Sequence, residues 1–552
     1  MQNAKIYIYV SLITMTLFLP FLGMVDLFDW DEVNFAECAR EMLVRGDYSQ
    51  VLMDYIPFWE KPPLFIWMQA CSMKIFGVSN FAARFPNVIA AFFTFSFLIY
   101  AGSKIKERNF GLLWALVYCG SFLPNIYFHS GIIDPWFNLF IFSGIYFGYQ
   151  AFTSNTILNY ALSGCLIGLS ILTKGPVGLL LFFTPAFLFI LFNRKIFSLN
   201  IRGLFAFVFS LISAGGFWFL LLVFQGKEIV IYDFLAYQVR LFQNEDAGHG
   251  GPFYYHFVVL IIGCFPASFF ALRKLSFKNK ESFQFLMLLT LVFTIALFSI
   301  VQTKIIHYSS LCYFPITYLA TGYLLPKIKE GEQSLKLSAR ILLISLGIYG
   351  LTLFCFAWTL NHPLSLLSIT GVDKFTIDTI KQGLPSSLLF YLPSMLVLAA
   401  FTVLIYFYKK NQNRIIVIVA FLTIAISIIS ASFMIKRVGL YSQGGHVALC
   451  KDFKDQNVII HPIGFKSFVP LYFGRQNTSF VKDDGTLLEE FFLANQNDLR
   501  LPVYFTSKAY KKAEILKLYP KIELIKELGG FALYKRKNNR IEALNHQDKK
   551  ID

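Results

Sequence analysis

The sequence predicts a mainly α-helical protein that crosses a membrane many times and ends in a small α/β domain outside the cytoplasm. Of its 552 residues, 56% are hydrophobic and 15% are charged, whereas soluble domains average about 45–50% apolar and about 25% charged residues. The mean hydropathy is +0.57, and apolar runs long enough to cross about 30 Å of hydrocarbon recur along the chain. This composition excludes a disordered chain, a coiled coil and a disulfide-stapled scaffold.

About thirteen apolar runs are candidate membrane spans, each of them close to the length of a spanning helix. They lie near residues 6–25, 86–103, 110–128, 136–152, 157–173, 176–192, 204–224, 254–272, 283–301, 307–325, 340–360, 386–408 and 414–434. The first run follows Lys5, but acidic residues and no small-residue cleavage site come after it, so we interpret it as a retained anchor.

The net charge of +16 is explained by topology rather than by nucleic-acid binding. Lys and Arg collect in alternate hinges between the spans, near 104–108, 194–202, 273–280, 327–340 and 409–414. Cytoplasmic loops carry this excess, so the pattern predicts a cytoplasmic N-terminus in a multi-pass inner (plasma) membrane protein. An odd number of spans then places the C-terminal tail outside the cytoplasm.

The sequence divides into a membrane domain, residues 1–435, and an extracytoplasmic α/β domain, residues 436–552. In the tail the apolar runs shorten to strand length at 458–460, 502–505 and 531–534, and a helical pattern covers about 507–518. The membrane domain has two long outer loops, about 26–85 and 225–255. No Gly-rich phosphate loop is found, which argues against a nucleotide-driven machine.

The first outer loop concentrates acidic residues directly after a span. Asp31 is placed to cap a helix from Glu32 to about Val44, or to act as a general base beside the membrane surface. On the purely structural alternative, Asp31 is only a helix cap and Glu37 and Arg40 form only a surface pair. Cys38 and Cys71 lie in the same loop, and a disulfide between them is one alternative to packing roles for the scattered cysteines.

Lys61 is followed by two prolines, which fix the backbone and remove donors. A Lys held in one direction at the membrane interface suits an anionic lipid headgroup, although it could also simply extend to water. In the second loop, the glycines around His249 suggest a mobile segment. His249 together with Glu60 could hold a metal, or it could instead be bonded to the backbone.

Three short outer hinges complete one rim of acids and cations. Asp134 begins a span and Lys174 ends one, while Lys304, His307 and Tyr308 lie at the mouth of another. Each could be an interface anchor. Together they fit sugar transfer from a phosphate-linked donor, in which a base deprotonates the acceptor hydroxyl and cations stabilise the departing phosphate.

These motifs resemble, in order along residues 1–330, the lipid-phosphate-sugar glycosyltransferases of the C-type membrane fold. The similarity is greatest to the 4-amino-4-deoxy-L-arabinose lipid A transferases and more distant to the protein O-mannosyltransferases. The matching motifs are Asp31-Glu32, Ala36-Glu37, Arg40-Glu41-Met42, Gly46-Asp47, Lys61-Pro62-Pro63-Leu64, Phe81 to Pro86, Lys174-Gly175-Pro176, His249 with Pro252 to Tyr255, and Thr303-Lys304 with His307-Tyr308.

The resemblance implies inverting transfer of an aminoarabinose- or hexose-like sugar from a polyprenyl-phosphate donor at the outer face of the membrane. Asp31, as base, and Asp134 are the implied catalytic carboxylates, with Glu32 beside Asp31 as a further candidate. The implied donor-phosphate ligands are Lys61 and Tyr308, helped by Arg84, Arg240, Lys174, Lys304 and His307. Glu60 and His249 match positions that allow a divalent metal ion, but no cofactor is required.

The predicted partners are the lipid-linked donor, membrane lipids and a glycolipid or protein acceptor, without nucleic acid. One departure from the family is Ile305-Ile306 before His307, where relatives often carry Leu-Pro. Two other functions remain open, a flippase of lipid-linked sugars and an enzyme of the protein O-mannosyltransferase type. A flippase is expected to carry ionisable groups near mid-membrane, whereas those of this chain lie at span ends.

Overall fold

The computed structural model describes residues 2–194, 200–243, 250–278, 282–368, 372–381, 385–475 and 502–537. Its first helices are α1 (Gln2–Phe18), α2 (Asp31–Arg45), α3 (Leu64–Phe76), α4 (Asn80–Ile105), α5 (Arg108–Cys119), α6 (Phe122–Ile126), α7 (Asp134–Ser154), α8 (Ile157–Lys174), α9 (Val177–Phe192), α10 (Ile201–Phe224), α11 (Glu228–Gln243), α12 (Tyr255–Gly263) and α13 (Ala267–Leu272). The later helices are α14 (Phe283–Ile300), α15 (Tyr313–Glu330), α16 (Glu332–Asn361), α17 (Lys374–Lys381), α18 (Leu392–Lys409), α19 (Asn413–Ser430), α20 (Ser432–Gly439), α21 (Gly445–Lys451), α22 (Val469–Gly474) and α23 (Lys512–Leu518).

Each of the thirteen predicted apolar runs overlaps at least one of these helices, which confirms the mainly α-helical, multi-span fold class. Within the described residues, seven helices are long and apolar enough to cross a membrane, or eight if a bent pair is counted as one span. That pair, α5 with the segment Phe122–His129, bends by 86°. The run 254–272 is also interrupted, between α12 and α13, and α9 is only 16 residues long. The chain is a multi-span membrane protein.

The antiparallel hairpin of α7 and α8 carries two of the site residues. It turns at Asn155 in a left-handed conformation, φ 53°. Close packing on α10 fixes α8, because a Cβ at Gly164 would lie 2.1 Å from the Phe207 carbonyl oxygen and one at Gly168 would lie 2.7 Å from that of Leu211. Small residues permit such backbone approach between membrane helices. The hairpin therefore brings the start of α7 and the end of α8 to one side of the membrane domain.

A small C-terminal sheet is present, as predicted. Its strands are β3 (Ile459–Pro462), β4 (Val503–Lys508), β5 (Ile522–Leu528) and β6 (Phe531–Arg536), following a two-stranded hairpin of β1 (Leu52–Met53) and β2 (Ile56–Pro57) in the first outer loop. The order is β3-β4-β6-β5, with β3 and β4 parallel and the other pairs antiparallel. The predicted helix near 507–518 is shorter, because β4 continues to Lys508 and α23 begins at Lys512.

The first outer loop and the C-terminal region share one apolar core. Val33 and Ala36 of α2 lie in the same buried cluster as Val447 and Cys450 of α21 and Tyr472 of α22. One helical segment continues from Asn413 to Lys451, across the predicted domain boundary at residue 436. The boundary remains a prediction, and the last span is joined to the outer region by helix.

Candidate active site

Two carboxylates from distant parts of the chain meet at one imidazole. Asp31 is the first residue of α2 and Asp134 the first residue of α7. His307 Nε2 lies 3.4 Å from Asp31 Oδ2 and 3.7 Å from Asp134 Oδ2. The Asp31 side chain is 42% exposed, whereas that of Asp134 is 3% exposed. The cluster therefore presents one accessible and one buried carboxylate to the same ring.

Lys174 neutralises the buried carboxylate. Its Nζ donates to Asp134 Oδ1 over 2.6 Å, because the α7–α8 hairpin brings the last residue of α8 beside the first residue of α7. The ammonium also lies 5.0 Å from the centroid of the Tyr308 ring and 5.5 Å from that of Phe137. A cation over aromatic faces gains electrostatic attraction. These contacts hold Lys174 and Tyr308 next to the carboxylate pair.

Lys61 joins this group from the first outer loop. Burial lowers the pKa of Lys61, while the negative charges of Glu60 and Asp31 act in the opposite direction. Lys174 and Asp134 are among the other charges close enough to affect the Lys61 pKa. Two ammonium groups and two carboxylates thus share one partly desolvated space.

A second set of side chains surrounds Glu60. The Tyr237 hydroxyl donates to Glu60 Oε2 over 3.2 Å, and Lys61 Nζ lies 5.4 Å from the Tyr237 ring centroid. Arg240 lies 5.1 Å from the same ring and 5.9 Å from that of Trp59. Arg240 therefore lies beside the Glu60 side chain, on helix α11 rather than in the loop predicted for residues 225–255. Its donor-phosphate role stays a prediction.

Glu32 and Arg84 form a buried ion pair. Arg84 donates from Nε to Glu32 Oε1 over 2.8 Å and from Nη2 to Oε2 over 2.7 Å. Its remaining bonds go to the carbonyls of Leu22, Val25 and Asp26. These bonds occupy the guanidinium and anchor the loop between α1 and α2. The catalytic role of Glu32 and the donor-phosphate role of Arg84 stay predictions.

Lys304 is likewise used internally. Its Nζ donates to the carbonyls of Phe298, Ser299 and Val301 over 2.9, 2.7 and 2.5 Å, at the C-terminus of α14. Three bonds use all three N–H donors of an ammonium, and a Lys at a helix C-terminus is favoured by the helix dipole. The donor-phosphate role predicted for Lys304 is corrected to a helix cap.

The suggested metal pair is only partly described. Glu60 is placed as above, while His249 lies outside the described residues. Among the residues that the structure describes, no group of three or more His, Cys, Asp or Glu side chains is arranged to hold a metal ion. A divalent ion stays a prediction that rests on the family resemblance.

Three smaller expectations are corrected by the first outer loop. Asp31 is the first helical residue and Trp30 takes the N-cap position, without a side-chain cap bond, so the carboxylate of Asp31 points to His307. The pair of Glu37 and Arg40 is buried rather than on the surface. Cys38 is buried and Cys71 is exposed, and both are free thiols.

Sequence analysis missed Asn138, which connects the two helical segments of the site. Its Nδ2 donates to Ser310 Oγ over 2.7 Å, and the Ser310 hydroxyl donates to the carbonyl of His307. Asn138 lies four residues after Asp134, so both face the same side of α7. A polar residue four positions after Asp134, inside an apolar span, was the sequence signal that could have identified Asn138. The hydrogen bonds from Asn138 through Ser310 fix His307 relative to Asp134.

A cleft of about 740 Å³ opens between the first outer loop and the C-terminal region. Asp54, Trp59, Glu60 and Arg240 form one wall, and residues 460–471, including Lys466, form the other. Ligand sites in proteins have volumes of roughly 300–1,000 Å³. The cleft thus provides space for a ligand next to Glu60 and Lys61.

Similar proteins are found by sequence. Residues 60–218 match the family of dolichyl-phosphate-mannose-protein mannosyltransferases. Two relatives are named undecaprenyl phosphate-alpha-4-amino-4-deoxy-L-arabinose arabinosyl transferase. That of Wigglesworthia glossinidia brevipalpis is 28% identical over 61% of each chain, and that of Photorhabdus laumondii is 26% identical over 63% of this chain and 65% of its own. The matched part of this chain thus spans less than two thirds of either relative.

A solved structure has the same fold. The ArnT of Cupriavidus metallidurans, in a crystal structure bound to undecaprenyl phosphate, superposes with a TM-score of 0.73 at 14% identity, covering 96% of this chain and 97% of that one. The predicted C-type membrane fold is confirmed. The similarity to the aminoarabinose transferases that the motifs indicate is confirmed as well.

Proposed function

From this similarity and from the cluster around His307, we propose that the chain is an inverting glycosyltransferase. It moves a sugar from a polyprenyl-phosphate donor to an envelope acceptor at the outer face of the membrane. The observation that carries the proposal is the meeting of Asp31 and Asp134 on His307, with Lys174 and Lys61 beside them. The relatives named above use an undecaprenyl-phosphate-linked aminoarabinose, so we propose this class of donor and sugar.

In this mechanism Asp31 is the general base. It is the more exposed carboxylate, so an acceptor hydroxyl can approach it and give up its proton as the oxygen attacks the anomeric carbon. The bond from that carbon to the phosphate oxygen breaks on the opposite face, which inverts the configuration. His307 orients the Asp31 carboxylate.

The cations act on the leaving group. Negative charge grows on the polyprenyl phosphate as the bond breaks, and Lys61 and Lys174 stabilise it from fixed positions. Asp134 holds Lys174 through their ion pair and is too buried to receive an acceptor. Tyr308 packs on Lys174 and is proposed to direct its phenol to the same phosphate.

The cleft beside Glu60 is the proposed entrance for the acceptor headgroup. Its aromatic and cationic lining, which includes Trp59, Arg240 and Lys466, suits a sugar bearing negative charge. We propose a glycolipid resembling lipid A as the acceptor. The family match over residues 60–218 favours a protein hydroxyl as the second candidate.

The orientation of the termini also belongs to this proposal. The distribution of Lys and Arg puts the N-terminus in the cytoplasm and the C-terminal domain outside. Labelling single cysteines near residues 3 and 510 with an impermeant maleimide tests it. Only the second is expected to react in intact spheroplasts, and the reverse pattern contradicts an outward-facing site.

The function is tested with purified protein, an undecaprenyl-phosphate-linked aminoarabinose donor and either a lipid A-like glycolipid or a Ser/Thr peptide. Wild type is expected to release undecaprenyl phosphate and glycosylate the glycolipid. Asp31→Asn should lower kcat at least about 100-fold and leave donor affinity within about twofold. Asp452→Asn, in an exposed ion pair, is the control. Movement of lipid-linked sugar between leaflets without transfer contradicts the proposal and supports a flippase.

A further inference from the structure

A polar network joins the C-terminal region to the residues directly before Asp31. The Ser467 hydroxyl donates to Asp29 Oδ2 over 2.5 Å, and the backbone N–H of Phe468 donates to Asp29 Oδ1 over 3.0 Å. The Phe468 ring packs edge-on against Trp30, with 5.8 Å between centroids. The loop after β3 therefore binds both residues that precede the proposed base.

Gln443 makes a second attachment from the end of the last span. Its Nε2 donates to the Leu27 carbonyl over 2.7 Å, and its Oε1 accepts from the Asp29 N–H over 2.9 Å. Gln443 lies in a π-helical turn, Leu440–Gly444. Such turns are rare and often occur at functional sites, because the extra residue redirects side chains. Here the turn contains Gln443, whose side-chain amide bonds both the Leu27 carbonyl and the Asp29 N–H.

The network continues into the sheet. Ser467 Oγ lies 3.4 Å from His446 Nδ1, and His446 Nε2 lies 2.9 Å from the Thr506 hydroxyl on β4. Gln443, His446 and Ser467 are all buried. Buried polar groups that satisfy one another rigidify a structure, so this chain of contacts gives Asp29 a firm support.

The segment that these contacts hold is strained. Trp30 has φ 73° and ψ −116°, a conformation that non-glycine residues keep only when their surroundings impose it. The direction of the first turn of α2, and with it the position of Asp31, depends on this backbone. Contacts on both sides of Trp30 supply the constraint.

We propose that Asp29, Gln443 and Ser467 are positioning residues that keep Asp31 at its distance from His307. On this view the C-terminal region is part of the catalytic apparatus, because Gln443 and Ser467 act through the position of Asp31. The inference rests on the proposed function for its kinetic consequence and on the contacts alone for its structural one. A displacement of about 1 Å at a catalytic group can reduce the rate about 100-fold.

The test compares Ser467→Ala and Asp29→Asn with Ser467→Thr, which keeps the hydroxyl. The matched control is Ser507→Ala, which removes a buried serine on β4 whose hydroxyl bonds that of Tyr534. On folded full-length protein, the first two variants are expected to lower kcat about 10–100-fold with donor KM within about twofold. Ser467→Thr should restore at least half of the wild-type kcat.

Hydrogen–deuterium exchange gives a readout without turnover. Amides of residues 28–35 should exchange at least about tenfold faster in Ser467→Ala and Asp29→Asn than in wild type or Ser507→Ala. Unchanged exchange there overturns the positioning role, and so does faster exchange with kcat equal to that of the control. Wild type without transferase activity would contradict the proposed function, while the exchange result would still decide whether the attachment holds this segment.

Discussion

Helix α2 carries two groups of charges that differ in what surrounds them. At its start, Asp31 is 42% exposed and faces His307, close to two lysines. Further along, the side chains of Glu37 and Arg40 are 1% and 3% exposed and form a bidentate pair with both bonds 2.7 Å long. Helix α2 thus contributes to two groups of charged side chains. We call the partly exposed one around Asp31 the open group and the buried one around Glu37 and Arg40 the closed group.

The closed group also contains the carboxyl groups of Glu41 and Asp54, so its acidic side chains outnumber its basic ones. Glu41 accepts the backbone N–H groups of Asp54 and Tyr55 over 2.7 and 3.0 Å. Burial raises the pKa of Glu41 to about 9 and that of Asp54 to about 8, and the charge of Glu37 adds to both shifts. The exposed Asp31 carboxylate of this loop thus lies beside cations, whereas burial raises the pKa of the enclosed carboxyl groups of Glu41 and Asp54.

The largest expected effect comes from the open group. Lys174→Ala removes the ammonium that pairs with the buried carboxylate of Asp134. Loss of such a partner lowers the free energy of unfolding by roughly 3–5 kcal/mol. The substitution also removes a cation that the proposed mechanism places beside the leaving phosphate. We expect kcat/KM to fall at least about 1,000-fold in a donor-release assay. Lys329→Ala, which breaks an exposed pair with Glu107, should leave it within twofold. Comparable losses in both variants would contradict a special role for Lys174.

The closed group should affect stability and not chemistry. Arg40→Met leaves Glu37 buried without its cation and should lower the free energy of unfolding by about 3–5 kcal/mol. In the fraction that remains folded, kcat should change less than threefold. Thermal unfolding in detergent measures the first quantity, with Arg45→Met, from a more exposed pair on the same helix, as control. A loss of kcat in Arg40→Met without a loss of stability would show that the closed group contributes to the chemistry.

A smaller effect is expected when Lys61 is replaced. Lys61→Ala should weaken donor binding by roughly 1.5–3 kcal/mol, if Lys61 makes one charge-assisted hydrogen bond to the phosphate. Binding of undecaprenyl phosphate to the purified variant measures it, and Lys74→Ala on the exposed side of α3 is the control. Equal affinity of the Lys61 variant and wild type would remove Lys61 from the donor site.

The last prediction concerns the pH dependence of stability. Because folding raises the pKa of Glu41 and Asp54, the folded state binds protons that the unfolded chain has released above about pH 4.5. These two carboxyl groups should therefore stabilise the fold most at low pH, and their contribution should be lost as the pH rises through their raised pKa values. Glu41→Gln with Asp54→Asn should flatten this dependence between pH 5 and 8. An equally steep curve in the double variant would refute the assignment.

Much of the fold followed from composition and run length. The thirteen apolar runs locate helices, and the strand-length runs at 458–460, 502–505 and 531–534 locate β3, β4 and β6. Strand β5 was missed because its Glu and Lys side chains are exposed at the sheet edge, so it lacks an apolar run.

The site was predictable where topology alone brings residues together. Span ends on one side of a membrane must lie near one another, which is why Asp134 and Lys174 could be placed in one rim. The contacts of Lys304 could not be inferred, since its partners are backbone carbonyls, which the sequence does not distinguish. Those of Arg84 could not be inferred either, since its ion-pair partner Glu32 lies 52 residues away and its other partners are carbonyls. The positive φ of Trp30 could not be predicted either, because the residue types in this segment do not indicate it.

We expect the helical segment from Asn413 to Lys451 to make the proposed turnover sensitive to the bilayer. A span whose apolar length exceeds the hydrocarbon thickness tilts to compensate. Because only Ala431 separates α19 from α20, and α20 runs directly into the π-helical turn that contains Gln443, a change in the tilt of the span is expected to reach the attachment at Asp29. Vesicles of graded acyl-chain length are therefore expected to alter turnover even when every substrate concentration is saturating.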